Sequence, residues 1–385
     1  MKTVCIEGWR GVSHSIALVN QYQMLVLLQQ PQLQIYHSDL PFFLKHWNAK
    51  RMPAGFTACE QARIDAVAAP PYGLVPDCLL RISSPFRSAV DPAVKTLTFM
   101  VTECGLVDDC FDAPPPDPGV FTRGENRIIT PSVWSRDRLV DYGIDAAGIT
   151  VVPHGVKTDV FAPLSEADRR AGRAALGVPE DEFLFVNVGV ATWNKGLDIL
   201  VKAFAQVRKR YPKTRLLLKD HKALYGIGAD RVLAQVSREQ PGLVTGEVLA
   251  GISLISGSLD QTQLRALYAV ADAYVSPYRA EGFNLPVLEA MACGTPVIVT
   301  GGGATDDFCP PELATKLPSR PGTQVDEPAM FGKFLVPDLD ALIESMSAVA
   351  QGRVPRQTAQ RAAAREQLVA RYSWPAVTQG LVALF

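Results

Sequence analysis

No stretch of about twenty apolar residues occurs in the chain, so no membrane-crossing helix is expected. The opening MKTVCIEGWRG has too short an apolar run for a secretory signal. The expected location is therefore the cytoplasm, with the inner face of the membrane left open. Neither sign of charge is in excess: 38 Lys and Arg stand against 39 Asp and Glu, a formal net charge of −1. This balance, with no long basic run, gives no electrostatic case for a nucleic-acid partner or for anionic lipid. It leaves peripheral membrane contact and oligomeric state open. CxxC pairs are missing too. The seven cysteines (5, 59, 78, 104, 110, 293, 309) are odd in number and scattered, which points to free thiols in a reducing compartment. Short repeats and low-complexity tracts are also absent.

What is present is a chain of 385 residues, 48% apolar and 20% charged, ordinary for a soluble globular protein and too long for one core. Strand-like and helix-like stretches alternate. TVCIE (3–7) reads as a buried strand, GWRGVSHS as a glycine loop and IALVNQYQMLVLLQ as a helix, the opening of a doubly wound α/β domain. Ligands of such folds bind at the carboxyl ends of strands, so Gly8, Gly11 and His14 are candidates for one wall of a cleft; a plain tight turn explains them equally well. QIYH (34–37) reads as a second strand, followed by His37, Asp39 and His46 in a loop that is either surface or site. TLTFMVTE (96–103) reads as a strand ending at Glu103, DAPPPDPG (112–119) as a loop, and PSVWSRDRLVDYG as a helix capped by Ser132. KTDVFAPLSEADR reads as polar and loop-like and marks a domain boundary near Gly155 to Pro163.

The second half repeats the pattern. EFLFVNVGV (182–190), TRLLLKD (214–220), GISLISGSL (251–259), AYVSPY (273–278) and TPVIVTGGG (295–303) read as strands of a parallel sheet. LDILVKAFAQVRKRY and DQTQLRALYAVA, the latter capped by Asp260, read as helices between them. The stretch RAEGFNLPVLEAMACG (279–294) organises the rest. Pro286 opens a helix and Gly294 closes it, which puts the helix start near Leu285. Its positive end faces Gly282, Phe283 and Asn284, a ready anion site. Glu281 lies just before that helix and Glu289 about one turn into it. Lys195, followed by Gly196 at another helix start, is a plausible phosphate clamp. Two carboxylates beside an anion site suggest a ligand with both hydroxyls and phosphates, such as a nucleotide sugar.

These residues carry a resemblance. EGFNLPVLEAMACGTPVI resembles the donor-site motif of the retaining GT-B glycosyltransferases of glycosyltransferase family four, with Glu281 and Glu289 in the places of that family's E-x7-E. VVPHGVKTDVFAP is similar to its interdomain segment, VGVATWNKGLDILVKAF to its phosphate loop and YSW to its closing segment. The likeness covers residues 125–385 well and the first 120 in outline. It implies an α/β GT-B fold of two Rossmann-like, doubly wound domains facing across a cleft. The N-terminal, acceptor-binding domain would span 1–157 and the nucleotide-sugar domain 158–372, with a last helix at about 373–385 packing back on the first.

The resemblance further implies transfer of a hexose from a nucleotide diphosphate to a saccharide, lipid-linked or small-molecule acceptor, with retention and without a metal or other cofactor. Glu281 would meet sugar hydroxyls, Glu289 the ribose and Lys195 the diphosphate, while amides from Gly282 to Leu285 would support charge on the leaving phosphate. One departure matters: the family usually carries arginine directly after the phosphate-loop glycine, where this chain has Val190. Lys219 is the expected substitute, with Arg279 as second choice. The family's first-domain histidine is not evident. Glu103 is a candidate to face the sugar there, and a capping or surface carboxylate is an equal reading. Asp338 and Asp340 form a D-x-D but precede a helix, and Asp306 and Asp307 follow a glycine turn, so helix starts are expected for both pairs. A nucleotide-sugar epimerase and a non-catalytic nucleotide-sugar-binding protein are the alternatives.

Overall fold

The computed structural model describes residues 1–48, 54–113, 115, 117–326 and 331–385. Pro114 and Pro116 of the expected proline loop lie outside the described residues. The chain divides into two compact units, Met1–Gly155 with Tyr372–Phe385, and Val156–Arg371.

In the first unit the strands are β1 (Lys2–Gly8), β2 (Leu33–Asp39), β3 (Cys78–Ile82), β4 (Thr96–Phe99), β5 (Arg127–Thr130) and β6 (Ile149–Val151). They form one parallel sheet in the order β2-β1-β3-β4-β5-β6. Helices α1 (Ser15–Leu27), α2 (Ala58–Asp65) and α3 (Val133–Asp141) connect them. Ser132 caps α3 by accepting from Ser135 N, as its place before an apolar run implies. Strand β4 ends at Phe99, earlier than the apolar run suggests, which leaves Glu103 in a bend beyond it.

The second unit holds a second six-stranded parallel sheet: β7 (Phe183–Val188), β8 (Thr214–Lys219), β9 (Ile252–Ile255), β10 (Ala273–Ser276), β11 (Val297–Thr300) and β12 (Ala314–Leu317). Their order is β12-β11-β10-β7-β8-β9, and a small antiparallel pair, β13 (Ser319–Pro321) with β14 (Leu335–Pro337), follows. The helices are α4 (Glu166–Ala175), α5 (Leu197–Arg210), α6 (Lys222–Tyr225), α7 (Ala229–Glu239), α8 (Gly246–Leu249), α9 (Gln261–Val270), α10 (Leu285–Ala292), α11 (Leu339–Ala350) and α12 (Ala359–Arg371). On one face of the sheet Phe185, Leu216, Leu218, Val275 and Ile298 pack with Leu200, Phe204, Leu233, Leu342 and Met346 from α5, α7 and α11. The last helix, α13 (Trp374–Val382), belongs to the first unit, where the Trp374 ring stacks on Tyr22 of α1 at 4.8 Å.

Helix α4 corrects the loop reading of KTDVFAPLSEADR. It starts inside that stretch, with Ser165 as its cap. In EADRRAGRAA the alanines at 167, 171, 174 and 175 recur on one face, but that face is exposed and the helix docks through its arginines. Arg169 and Arg173 both reach Asp272, at 2.6 and 3.0 Å, and Gly172 lets the helix lie against Val270. Arg173 also donates to Pro179 O and Glu182 O, and Leu184 N donates to Asp272. One carboxylate thus ties α4 to the edge of β7 and β10.

Arg173 is 3% exposed. Asp272→Ala leaves it without its carboxylate, and loss of one partner of a buried pair costs about 3–5 kcal/mol. Urea unfolding should show that drop, whereas Lys213→Ala, which removes the exposed pair with Asp181, should leave the midpoint unmoved.

Candidate functional site

Numbered from its own first strand, the second sheet runs 3-2-1-4-5-6, with the reversal between β7 and β10. In such sheets ligands bind outside the carboxyl ends of the two strands that flank the reversal. The loops that leave those ends are 189–196, after β7, and 277–284, after β10. They carry Lys195 and Glu281, and the structure brings the two together: Lys195 Nζ lies 2.7 Å from Glu281 Oε2. The Glu281 side chain is 9% exposed and that of Lys195 21%.

The two loops are zipped to each other through Asn194, Arg279 and Gly196. Arg279 N and Ala280 N donate to Asn194 O, and Asn194 Nδ2 returns a bond to Ala280 O at 3.0 Å. Gly196, at φ +69°, allows the closest approach; a Cβ there would lie 1.9 Å from Pro277 O. Arg279, expected among the ligand contacts, has its guanidinium engaged within the protein. Its guanidinium makes two 2.7 Å bonds to the two oxygens of Asp198, donates to Trp193 O and lies 4.5 Å over the Trp193 ring. Burial alone would raise the Asp198 pKa, but the hydrogen bonds and charge of Arg279 outweigh it and hold the carboxyl below its ordinary value. Asp198 had one legible signal, an acid in the first turn of a helix; Asn194 had none.

Helix α10 begins at Leu285, and its cap residue Asn284 sits at φ +81°, a left-handed conformation. The Asn284 side chain is not used as a cap. Its Nδ2 donates instead to Ser276 Oγ at the end of β10, so Asn284 does not cap the start of the helix. Gly282 and Phe283 are buried, and the Phe283 ring stacks on Phe308 at 4.6 Å, which anchors the approach to the helix. One turn in, Glu289 accepts from Tyr268 Oη of α9 at 2.8 Å. Burial pushes the Glu289 pKa up to about 7, and the phenol bond works against that shift. Tyr268 was not singled out in the sequence, where it stands among the apolar residues of a helix.

Lys219 ends β8, level with Val188 of β7, and Gly189 N donates to its carbonyl. This places it beside the loop that contains Val190. The side chain is 1% exposed, its amine donates to Asp220 O at 2.5 Å, and burial lowers its pKa to about 8. Asp338 caps α11 by accepting from Ala341 N; Asp306 accepts from Gly302 N and pairs with Lys316. Among the described residues no group of three or more His, Cys, Asp or Glu side chains is placed to hold a metal.

In the first unit the candidates have packing explanations. A Cβ on Gly8 would meet Ile82 O at 2.7 Å, and His14 caps α1 through Nδ1 while its ring packs on Trp9 and Trp47. Glu103 contributes its carbonyl to Trp134 Nε1. Gly11 differs: with Arg10, Asp39 and Asp65 it lines a cavity of about 450 Å³ past the ends of β1 and β2. There Arg10 grips both oxygens of Asp39 and is itself held by Ile64 O.

Residues 168–308 match the family model described as glycosyl transferases group 1. A segment of 204 residues, half of this chain, is 31% identical to the D-inositol 3-phosphate glycosyltransferase of Mycobacterium tuberculosis, and the match spans 39% of that relative's own length. Among solved structures, a glycosyltransferase from Rickettsia africae superposes with a TM-score of 0.70 at 14% identity, over 100% of this chain and 97% of that one. Sucrose-phosphate synthase from Thermosynechococcus elongatus gives 0.68 at 18%, covering 100% and 98%. Anabaena HepE in complex with UDP and glucose gives 0.67 at 12%, covering 100% and 99%. The chain has the two-domain α/β fold of these GT-B proteins, and together the matches support a GT-B glycosyltransferase.

Tyr268→Phe removes a hydrogen bond to the charged form of Glu289, so the carboxyl should titrate at higher pH than in the parent. Carboxyl-labelled glutamate followed by ¹³C NMR should show one midpoint near 7 in the parent, displaced upward in the variant. A parent midpoint in the ordinary carboxylate range would contradict the burial argument.

Proposed function

We propose that this GT-B chain is a retaining glycosyltransferase that moves a hexose from a nucleotide diphosphate to a saccharide, lipid-linked or small-molecule acceptor without a metal. The observation that carries the reading is the contact of Lys195 with Glu281 at the reversal of the second sheet, beside a helix start that its own cap residue Asn284 does not cap. The arrangement supplies a cation and amides for a diphosphate and a carboxylate for sugar hydroxyls within one loop pair. Glu289, held by Tyr268, takes the ribose diol.

In the proposed reaction the acceptor oxygen forms a bond to the anomeric carbon while the bond from that carbon to the phosphate oxygen breaks. The acceptor's proton passes to the departing phosphate on the same face of the sugar, which preserves the anomeric configuration. Charge grows on the phosphate as it leaves. Lys195 and the amides at Phe283 to Leu285 oppose it without moving, and such preorganised donors are commonly worth 10²–10³ in rate each. Lys219 is the proposed second cation in place of the arginine missing at Val190. Its support is position and burial: an amine that is 1% exposed and loses charge readily through desolvation regains it beside a phosphate. Arg279 and Asp198 hold the loop pair in register. In the first unit the cavity lined by Arg10, Asp39 and Asp65 has the polar groups to orient an acceptor.

Incubation with a panel of nucleotide sugars, followed by detection of free nucleotide and proton NMR of the product, tests the activity. Retained configuration is expected, and epimer formation without nucleotide release would overturn transfer. Glu281→Gln should lower kcat by roughly 10²-fold with the fold intact. Lys219→Ala should raise the donor KM about tenfold, the equivalent of roughly 1.4 kcal/mol; an unchanged donor affinity would remove Lys219 from the phosphate site. Activity should survive EDTA, and full loss restored by Mn²⁺ would refute metal independence.

A further inference from the structure

A second cavity in the Val156–Arg371 unit, of about 520 Å³, is lined by none of the residues assigned above. One wall is the turn at Cys293 and Gly294, just past α10; the other is the run from Arg356 into α12. The second wall presents Arg356, Arg361 and Arg365. Each guanidinium is fixed by backbone carbonyls. Arg356 donates to Ala269 O at 2.9 Å and to Ala271 O, Arg361 to Leu313 O at 3.1 Å and Arg365 to Ala292 O at 2.6 Å. The Ala269, Ala271 and Ala292 carbonyls close α9 and α10, a favourable place for cations. That role explains where the arginines sit, but it does not balance their charge.

Asp272, the nearest strong counter-charge, is engaged by Arg169 and Arg173, and Glu166 acts on Arg356 only at a distance. Glu366, at the cavity mouth, is exposed. Arg356 Nε and Arg361 Nε are buried without a hydrogen-bond partner, which is costly for charged donors. Burial also lowers the pKa of all three arginines, that of Arg356 to about 10. The start of α12, a helix of 13 residues, opens on the same space through Thr358 and adds its positive end. Three arginines and a helix start therefore line a volume that suits a small ligand.

We propose that this cavity is an oxyanion site that takes a phosphate group, distinct from the site of Lys195 and Glu281. Arg361 and Arg365, one turn apart on α12, grip the phosphate. The phosphate comes either from a soluble phosphorylated molecule or from a lipid headgroup.

Pyrophosphate titrated calorimetrically into the full chain tests this, on a Lys195→Ala background that weakens the other phosphate site. Binding is expected to persist in Lys195→Ala and to weaken at least tenfold when Arg361→Gln and Arg365→Gln are added. The same positions changed to Lys should restore part of the affinity, which separates lost charge from lost folding. Flotation with phosphatidylglycerol vesicles against phosphatidylcholine vesicles assigns the source. Capture by the former, lost in the Gln pair, identifies a headgroup, and pyrophosphate binding without capture identifies a soluble ligand. No pyrophosphate binding in Lys195→Ala together with no vesicle capture, or binding indifferent to both arginines, would overturn the proposal.

Discussion

Two parallel hydrogen bonds between Arg279 and Asp198 hold together the two loops that carry Lys195 and Glu281. Lys195 and Glu281 come from loops 86 residues apart in sequence, and nothing local aligns them. The guanidinium fork fits a carboxylate in one geometry only, which sets register as well as adding energy. The cation–π contact with Trp193, the reciprocal bonds through Asn194 and the side-chain-free Gly196 extend that seam in both directions. Trp193 passes it on to Phe334 by edge-to-face contact, and Leu335 N donates to Arg279 O, so the β13–β14 pair buttresses the same loop.

Around this seam the chain departs from ordinary local rules, as functional sites often do. Asn284 is the only non-glycine residue with positive φ among those described. It spends its side chain on Ser276 instead of on its own helix. Glu289 keeps a carboxylate where burial disfavours its charge, and Lys219 keeps an ammonium under the same pressure with the opposite sign. Each arrangement costs stability, and each makes sense beside a ligand that carries both phosphates and hydroxyls.

The inner strands of the second sheet were legible because they are covered on both faces and read as unbroken apolar runs, FLFVNV above all, whereas the edge strand β12, with its exposed middle, was not read. The α10 boundaries were legible because Pro286 and Gly294 have conformational reasons to stand where they do. Residues that act through partners were not. Asp198 looks like any acid at a helix start until Arg279 is seen across the sheet, and Tyr268 looks like core until its hydroxyl is seen on Glu289. Helix α4 was missed for a related reason. Its buried contacts are made by Arg169, Arg173 and the bare surface of Gly172, so its 3.6-residue pattern is inverted, with alanines outward and arginines inward. The first unit's middle was hard to read because prolines break its strands into short pieces.

The docking of α4 also sets how that edge of the unit responds to temperature. Apolar contacts gain little further strength as a protein is warmed. The hydration that competes with an ion pair weakens, so a desolvated carboxylate shared by two arginines loses relatively less. The Asp272 cluster therefore holds α4 on terms different from those that hold α5 or α11 to the opposite face of the sheet. Heat should loosen the apolar layers of the unit before it frees this electrostatic hinge-pin.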